Sequence, residues 1–167
     1  MYHPVVKQIT DILTERGFWF ESFEHEPVRT SEQAAKVRAG YTIEQGAKAL
    51  IIRIKKRELG ITNDGNQKFV MLVIPGNLRL DNKKVKQLLK VREFTFATED
   101  EVREVTKGVE PGGVPPLGNL FGLEVICDPA IFQNEKIIFN AGDKRFSVGM
   151  YSKDYQAVVN PRVEEIT

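Results

Sequence analysis

The sequence predicts an α+β fold with a mixed or antiparallel β-sheet. Apolar residues recur at helical spacing in some segments and as strand-like runs in others, without the regular strand–helix alternation of a doubly wound parallel sheet. Asp64-Gly65 lies between two apolar runs, which indicates a hairpin and hence an antiparallel pair. The chain of 167 residues shows no internal repeat and no linker-like tract, so we expect one domain over residues 1–167.

Composition excludes several kinds of site. The chain has 24 Lys and Arg against 23 Asp and Glu. The resulting net charge of +1 does not by itself indicate a protein that binds nucleic acid or membranes. Cys127 is the single cysteine, with only His3 and His25 beside it, so we expect no internal disulfide and no metal cluster of His and Cys. Residues 1–17 carry charges throughout, and no apolar run approaches the ~20 residues of a membrane span. A cytoplasmic location is therefore expected.

The first third of the chain predicts a helix, a strand and a helix. Apolar residues at helical spacing over 5–13 predict the first helix, with Gly17 as its stop. The aromatic segment 18–23 predicts a strand. The pattern Thr30-Ser31-Glu32-Gln33 is a capping box, which begins a short helix to about Ala39.

The middle of the chain predicts a hairpin followed by a helix. Residues 47–56 are the clearest strand, and 69–74 return as a near-continuous apolar strand whose two faces should both be covered. The polar turn 62–66 joins them. Asp81 can cap a helix that contains Val85.

The rest of the chain predicts further alternation of short elements. A strand over 94–97 precedes a helix that begins at a capping box, 98–101, and ends at Gly108. A glycine- and proline-rich loop follows at 111–118. Three more strands are expected, at about 123–127, 136–140 and 145–149. Ser152 can cap a last helix through Val159.

Lys48 is the most informative single residue. Its side chain begins one face of the strand 47–56, and the rest of that face is apolar: Leu50, Ile52 and Ile54. An ammonium group there either lies at the rim of a pocket or snorkels out of the core. Partial burial would lower its pKa and favour an anionic or carbonyl partner. The pattern alone favours a structural lysine at a strand end.

The loop 111–118 holds three glycines and three prolines. Glycine permits positive φ and exposes backbone N–H groups, and proline stiffens the chain, so such a loop can present amides to a carbonyl or carboxylate oxygen. The loop lacks the Lys-Ser/Thr element of a Walker loop. A rigid connector between a helix and a strand is the alternative.

Other candidates have weaker patterns. The segment 140–143, Asn-Ala-Gly-Asp, fits a Gly-Asp hairpin turn or a second backbone wall of the same pocket. His25, between two glutamates, fits an acid/base group or a surface residue. Cys127 follows apolar residues in a strand and fits a core position.

Two basic runs could follow a phosphate backbone. Against Asp81, the segment 79–92 holds six cations: Arg79, Lys83, Lys84, Lys86, Lys90 and Arg92. The second run comprises Arg53, Lys55, Lys56 and Arg57. A solvated helix face explains one isolated cluster as well as an RNA contact does.

Five segments together resemble a known family, in its order and at compatible spacings: 23–27 with Thr30, 46–52, 112–118, 140–143 and 150–155. The segment 46–52 resembles the family's lysine strand, and 112–118 matches its Gly-Gly-x-x-Pro-x-Gly loop. On these motifs the chain is identified as a member of the YbaK/prolyl-tRNA synthetase-associated domain family. That family includes free-standing relatives of the editing domain inserted in bacterial prolyl-tRNA synthetases.

The resemblance implies an α+β fold with a curved, barrel-like mixed sheet flanked by helices. It implies an aminoacyl-tRNA deacylase that hydrolyses mischarged tRNA in trans, namely tRNA-Pro carrying a small amino acid, without metal or cofactor. By motif position Lys48 matches the family's functionally essential lysine, which we expect to anchor the substrate's terminal phosphate or polar groups. The substrate-binding residues expected from the motifs are Thr30, Gly112, Gly113, Pro116, Gly118 and Gly142.

The expected partners are an aminoacyl-tRNA and a synthetase, with no membrane and no DNA. Four lysines of the basic helix are the candidate contacts to the acceptor stem: Lys83, Lys84, Lys86 and Lys90. Some alanine-specific relatives carry a histidine after the Asn-x-Gly turn, whereas 143–146 contain none, so alanine, cysteine, serine and threonine all remain open. The alternatives are a catalytically idle module that binds tRNA or a synthetase, and a small-molecule binding domain.

Overall fold

The structure, a computed structural model, describes residues 1–28, 30–55 and 67–167. The helices in these residues are α1 (Pro4–Glu15), α2 (Ser31–Val37), α3 (Asn82–Leu89), α4 (Glu99–Val105) and α5 (Ser152–Val159). The strands are β1 (Phe20–Glu24), β2 (Ala47–Lys55), β3 (Gln67–Pro75), β4 (Thr95–Phe96), β5 (Glu124–Cys127), β6 (Lys136–Asp143), β7 (Phe146–Tyr151) and β8 (Arg162–Val163). The predicted turn 62–66, and Lys56 and Arg57 of the second basic run, lie outside the described residues.

The described strands form two sheets. One has the order β1-β7-β6 and is antiparallel; the other has the order β4-β2-β3-β5-β8. In the larger sheet β2 pairs antiparallel with β3 and β4, whereas β3–β5 and β5–β8 are parallel. This mixed sheet confirms the predicted α+β class. One isolated parallel bridge, between Gly46 and Ile138, joins the two sheets, and the barrel-like curvature stays a prediction.

The larger sheet separates two apolar cores. On one face of β2, Ala47 and Ile51 pack with α1 and the smaller sheet, together with Cys127 of β5. On the other face, Ile52 and Ile54 pack against Val85 of α3. Successive β3 residues alternate between the two cores, as the prediction of two covered faces required.

The ends of the helices follow local side-chain chemistry. Thr98 and Glu101 form the predicted capping box of α4, and Gly108 follows with a φ of 100°. The Thr30 hydroxyl accepts a hydrogen bond from the backbone of Gln33 at 3.1 Å, as a cap should, although α2 already ends at Val37.

Two local predictions were wrong. Ser152 is the first residue of α5 and not its cap, which is Tyr151, and the Ser152 hydroxyl donates to the carbonyl of Asn134 at 2.6 Å. The segment 140–143 belongs to β6 and contains a register shift, so the hairpin turn lies at 144–145 and not at Gly-Asp. Asp143 supports that turn by accepting from the backbone of Arg145 at 2.8 Å.

Candidate functional site

A cleft of about 780 Å³ opens beside the first half of β2. β4 pairs with β2 at Ile52 and Arg53 only, so the preceding part of that edge has no described strand beside it after the bridge at Gly46. The other walls of the cleft are formed by α2, the start of α4 and the glycine-rich loop. Three of the predicted site residues line the cleft: Thr30, Lys48 and Gly112.

Lys48 is half-buried in the cleft wall, opposite Ile74 of β3. Burial lowers the pKa of its amine; nearby Glu32 opposes that shift and Arg79 adds to it. Among the described residues its amine has no hydrogen-bond or ion-pair partner. Of the two interpretations that the sequence left open, the structure therefore supports the rim of a pocket.

The glycine-rich loop packs directly on the β6–β7 hairpin. Gly112 has a φ of 89°, and a Cβ there would lie 3.0 Å from Cε of Lys144. A Cβ on Gly113 would lie 3.2 Å from the backbone of Asp143. The N–H of Gly113 donates to the carbonyl of Glu110 at 2.9 Å.

Two residues of the loop, Gly112 and Val114, line the cleft, and within residues 1–28, 30–55 and 67–167 neither N–H has a hydrogen-bond partner. The predicted use of the loop as an amide donor is thus restricted to these two positions.

Asn140, from the segment predicted to be a second wall, lines the cleft and fixes the loop. Its Nδ2 donates to the carbonyl of Gly112 at 2.6 Å. Its Oδ1 accepts from Nη2 of Arg38 at 2.9 Å.

Arg38 is the functional candidate that sequence reasoning missed. It follows α2, is 6% exposed and lines the cleft. Its Nε donates to Oγ of Ser147 at 3.0 Å, and no carboxylate of the described residues forms an ion pair with it. Burial lowers its pKa to about 10, so it stays charged at neutral pH. No local signal marked it, because its partners Asn140 and Ser147 lie more than 100 residues away along the chain.

His25 contacts Ser147, the residue that accepts a hydrogen bond from Arg38. Its Nδ1 lies 2.8 Å from the carbonyl oxygen of Glu26, which can only accept, so Nδ1 carries a proton. Its Nε2 lies 2.7 Å from Oγ of Ser147, which is fully buried. The same hydroxyl donates to Oδ1 of Asn140 at 3.2 Å and accepts from Nε of Arg38. His25 does not line the cleft, and this favours a supporting position over acid/base work.

Four predicted substrate-binding residues are buried and do not line the cleft: Gly113, Pro116, Gly118 and Gly142. The carbonyl of Pro116 accepts from the hydroxyl of Tyr155 at 2.6 Å. A Cβ on Gly118 would lie 2.7 Å from Cγ2 of Val125. These contacts give the residues a supporting position, and direct contact with substrate stays a prediction.

Gly142 contacts the glycine-rich loop through its backbone. It has a φ of 114°, its missing Cβ faces Val5 of α1, and its N–H donates to the carbonyl of Gly113 at 2.8 Å. It borders a separate depression of about 500 Å³ near the start of the chain.

The predicted RNA-contacting lysines lie on and after α3, outside the cleft. Lys84 donates to the carbonyl of Thr167 at 2.6 Å, and Lys86 lies 3.5 Å from Glu93. Lys83 and Lys90 are exposed and have no partner within the described ranges.

The described residues contain no group of three or more His, Cys, Asp or Glu side chains placed to hold a metal ion. Cys127 is fully buried, and burial raises the pKa of its thiol to about 12, which fits the predicted core position. No helix in the described part of the chain is long and apolar enough to cross a membrane.

Among the described residues, the cleft is lined by three cations without an ion-pair partner, Arg38, Lys48 and Lys144, and by two backbone amides without a hydrogen-bond partner, an arrangement suited to an anionic or carbonyl-bearing molecule. The sequence profile of the aminoacyl-tRNA editing domain family matches residues 25–158, and the chain belongs to that family. The match includes every cleft residue named above and confirms the resemblance found in the sequence motifs.

Curated relatives that match are proline–tRNA ligases. That of Trichlorobacter lovleyi is 30% identical over 98 residues, which are 58% of this chain and 17% of the ligase. That of Caldicellulosiruptor saccharolyticus is 27% identical over 135 residues, which are 78% of this chain and 22% of the ligase. The chain thus spans about a fifth of the length of these two relatives.

Two solved structures share the fold over nearly their whole length. One, provisionally named a trans-editing enzyme for prolyl-tRNA synthetase, has a TM-score of 0.80 at 24% identity and covers 100% of this chain and 99% of its own. The other, from a study of epitope backbone grafting on scaffold proteins, has a TM-score of 0.79 at 22% identity and covers 99% and 97%.

Proposed function

We propose that this chain, folded as one domain over residues 1–167, is an aminoacyl-tRNA deacylase that acts in trans. It hydrolyses the ester between a wrongly attached amino acid and the terminal ribose of tRNA. The observation that carries the proposal is Lys48, an amine without a partner among the described residues, in the wall of an editing-family cleft. A cleft of about 780 Å³ has room for an aminoacyl group and part of a nucleoside.

The free amides of the loop supply the electrostatic part of the reaction. Water adds to the ester carbonyl, and negative charge develops on the carbonyl oxygen. The N–H groups of Gly112 and Val114 are the donors for that oxygen. The bond from the carbonyl carbon to the ribose oxygen then breaks, and the ribose oxygen takes a proton.

The substrate itself activates the water in this proposal. Glu99 lines the cleft, but its side chain is 77% exposed and lies 3.5 Å from Arg103. A carboxylate paired in this way is poorly placed to take a proton from a water molecule on the ester. The neighbouring ribose hydroxyl of the substrate lies next to the ester by its chemistry, so it can accept a hydrogen bond from the water and relay the water's proton to the departing ribose oxygen.

The proposed tRNA is taken from the similarity to known proteins, and the amino acid is one of four candidates. The named similarity to proline–tRNA ligases and to a trans-editing enzyme for prolyl-tRNA synthetase supports tRNA-Pro as substrate and a synthetase as partner. Alanine, cysteine, serine and threonine are the candidate amino acids, because pockets of this kind separate near-isosteres by only ~1–3 kcal/mol.

A deacylation panel tests this function. tRNA-Pro charged separately with alanine, cysteine, serine, threonine and proline is incubated with the wild-type protein, Lys48→Ala and Lys7→Ala. Lys7 is an exposed lysine of α1 outside the cleft and outside both basic runs, and so the control. We expect one amino acid to be released by the wild type and the control, and the rate to fall by about 10–100-fold in Lys48→Ala, because a charge-assisted contact to the substrate is lost.

The second candidate is an idle module that binds tRNA without hydrolysing it. The exposed, arginine-paired Glu99 favours it, since Glu99 is the single carboxylate among the described residues that line the cleft. Salt-dependent binding of every charged tRNA tested, with no release of any amino acid, would support this module over the deacylase.

A further inference from the structure

We propose that Arg38 and Lys48 form a phosphate-binding subsite that holds the phosphate group on the terminal nucleoside of the substrate. Arg38 is the new element: a residue that positions the substrate by binding this phosphate together with Lys48. This inference rests on the proposed function for the identity of the phosphate.

The burial of Arg38 without a carboxylate is the first argument. Four arginines with carboxylate partners have side chains 27% to 47% exposed: Arg53, Arg103, Arg145 and Arg162. Arg38 is 6% exposed and has no such partner among the described residues. Burying a cation is costly unless an anion accompanies it, so an arginine buried in this way is prepared for an anionic ligand.

The orientation of the guanidinium is the second argument. Nε is held by Ser147 and Nη2 by Asn140, both through neutral oxygens. Nη1 has no hydrogen-bond partner among the described residues. The hydrogen bonds therefore fix the plane of the group without neutralising its charge, and they leave one edge for a ligand.

The position of Gly46 brings the two cations together. A Cβ built on Gly46 would lie 3.8 Å from Nη1 of Arg38. Gly46 precedes Lys48 by two residues in extended backbone, so that Cβ direction and the Lys48 side chain share one face, with Cα atoms roughly 6.6 Å apart. Because Gly46 has no side chain, both cations can reach one anion.

The chemistry of the substrate selects phosphate. In an aminoacyl ester the carboxyl group is consumed by the ester bond, and the amino group of the amino acid is cationic. Two positive charges are therefore unsuited to the aminoacyl part, whereas the phosphodiester beside the terminal nucleoside is an anion suited to a guanidinium and an ammonium.

The first experiment measures binding without hydrolysis. Calorimetry compares adenosine 5′-monophosphate with adenosine for the wild type, Arg38→Gln, Arg38→Lys and the control Arg162→Gln, each checked for folding by thermal melting. We expect the wild type and Arg162→Gln to bind the monophosphate more tightly by about 10–100-fold, and Arg38→Gln to lose that difference. Arg38→Lys should regain part of it. Equal binding of the two ligands by the wild type overturns the subsite.

The second experiment separates positioning from structural support. The substrates are 2′(3′)-O-aminoacyl-adenosine with and without a 5′-phosphate, carrying the amino acid that the wild type releases. Arg38→Gln should raise KM about 10–100-fold for the phosphorylated ester and leave the other ester unchanged. Equal losses on both esters would overturn the role in phosphate binding. If the wild type releases no amino acid from any charged tRNA but still prefers the monophosphate in calorimetry, the proposed hydrolysis fails and the subsite stands.

Discussion

Asn140 donates a 2.6 Å hydrogen bond to the carbonyl oxygen of Gly112 and, through its other side-chain atom, accepts one from Arg38. One amide group thus connects the glycine-rich loop with the buried arginine. Only a side chain with both a donor and an acceptor can make this pair of contacts, and an amide offers the two on one rigid plane.

Asn140→Asp tests this connection. The carboxylate keeps the shape of the amide, but it cannot donate to Gly112, and it places a negative charge against Arg38. We expect kcat/KM for the released aminoacyl-tRNA to fall by about 10–100-fold, because the loop is released and the arginine is neutralised.

Asn119→Asp is the matched control, since Asn119 also donates to a backbone carbonyl, that of Val158, but lies outside the cleft. Its activity should stay near the wild-type value. Full activity of Asn140→Asp would show that neither contact matters for the reaction.

The pH dependence of phosphate binding tests Lys48. Burial lowers the pKa of its amine in the ligand-free protein, so the amine loses its charge at a lower pH than an exposed lysine does. Binding of adenosine 5′-monophosphate should therefore weaken as the pH rises toward the usual lysine pKa of about 10.4, before ordinary lysines lose their charge.

Lys48→Arg is the control for this titration, because an arginine at that position keeps its charge over the same range. Its binding should change less with pH than that of the wild type. Parallel decreases in the two proteins would assign the pH effect to another group.

The basic helix makes a prediction about salt. Lys83 and Lys90 have no partner among the described residues, whereas Lys84 and Lys86 have intramolecular ones. The logarithm of the affinity for tRNA falls as the logarithm of the salt concentration rises. The double substitution of Lys83 and Lys90 by Gln should make this slope less steep by about 0.9 per lost phosphate contact. The same change at Lys84 and Lys86 should have a smaller effect on the slope. An unchanged slope in both variants would remove this helix from the RNA contact.

The local elements could be predicted from the sequence because their causes are local. The capping box at Thr98 and Glu101 and the alternation along β2 depend on neighbours within a few residues. Lys48 and Gly112 also reached the cleft as expected. Arg38 could not be found in this way, since its role depends on Ser147 and Asn140 from distant strands.

The positions of the loop glycines were also beyond the sequence pattern. A glycine motif does not indicate which of its glycines line the cleft and which are buried beneath the loop. Gly118 is needed because Val125 and Met71 lie against it, and that packing exists only after β3 and β5 have paired. The same holds for Gly142 against α1.

Gly142→Ala tests this supporting position. The new methyl group would collide with Val5, and the alanine would have to adopt a φ of 114°. We therefore expect the free energy of unfolding to fall by about 2–4 kcal/mol. Gly122→Ala, at a φ of 70° with nothing within 4 Å of the added atom, isolates backbone strain and should cost about 1 kcal/mol. Denaturant unfolding measures both. Normal stability of Gly142→Ala with a raised KM would instead support direct substrate contact.

The central claim is most directly tested by single-turnover deacylation of mischarged tRNA-Pro by the wild type, Lys48→Ala and Lys7→Ala. The account predicts release of one small amino acid by the wild type and Lys7→Ala, and a rate about 10–100-fold lower for a correctly folded Lys48→Ala. Equal rates in all three proteins, or no release of any amino acid from any mischarged tRNA, would contradict it.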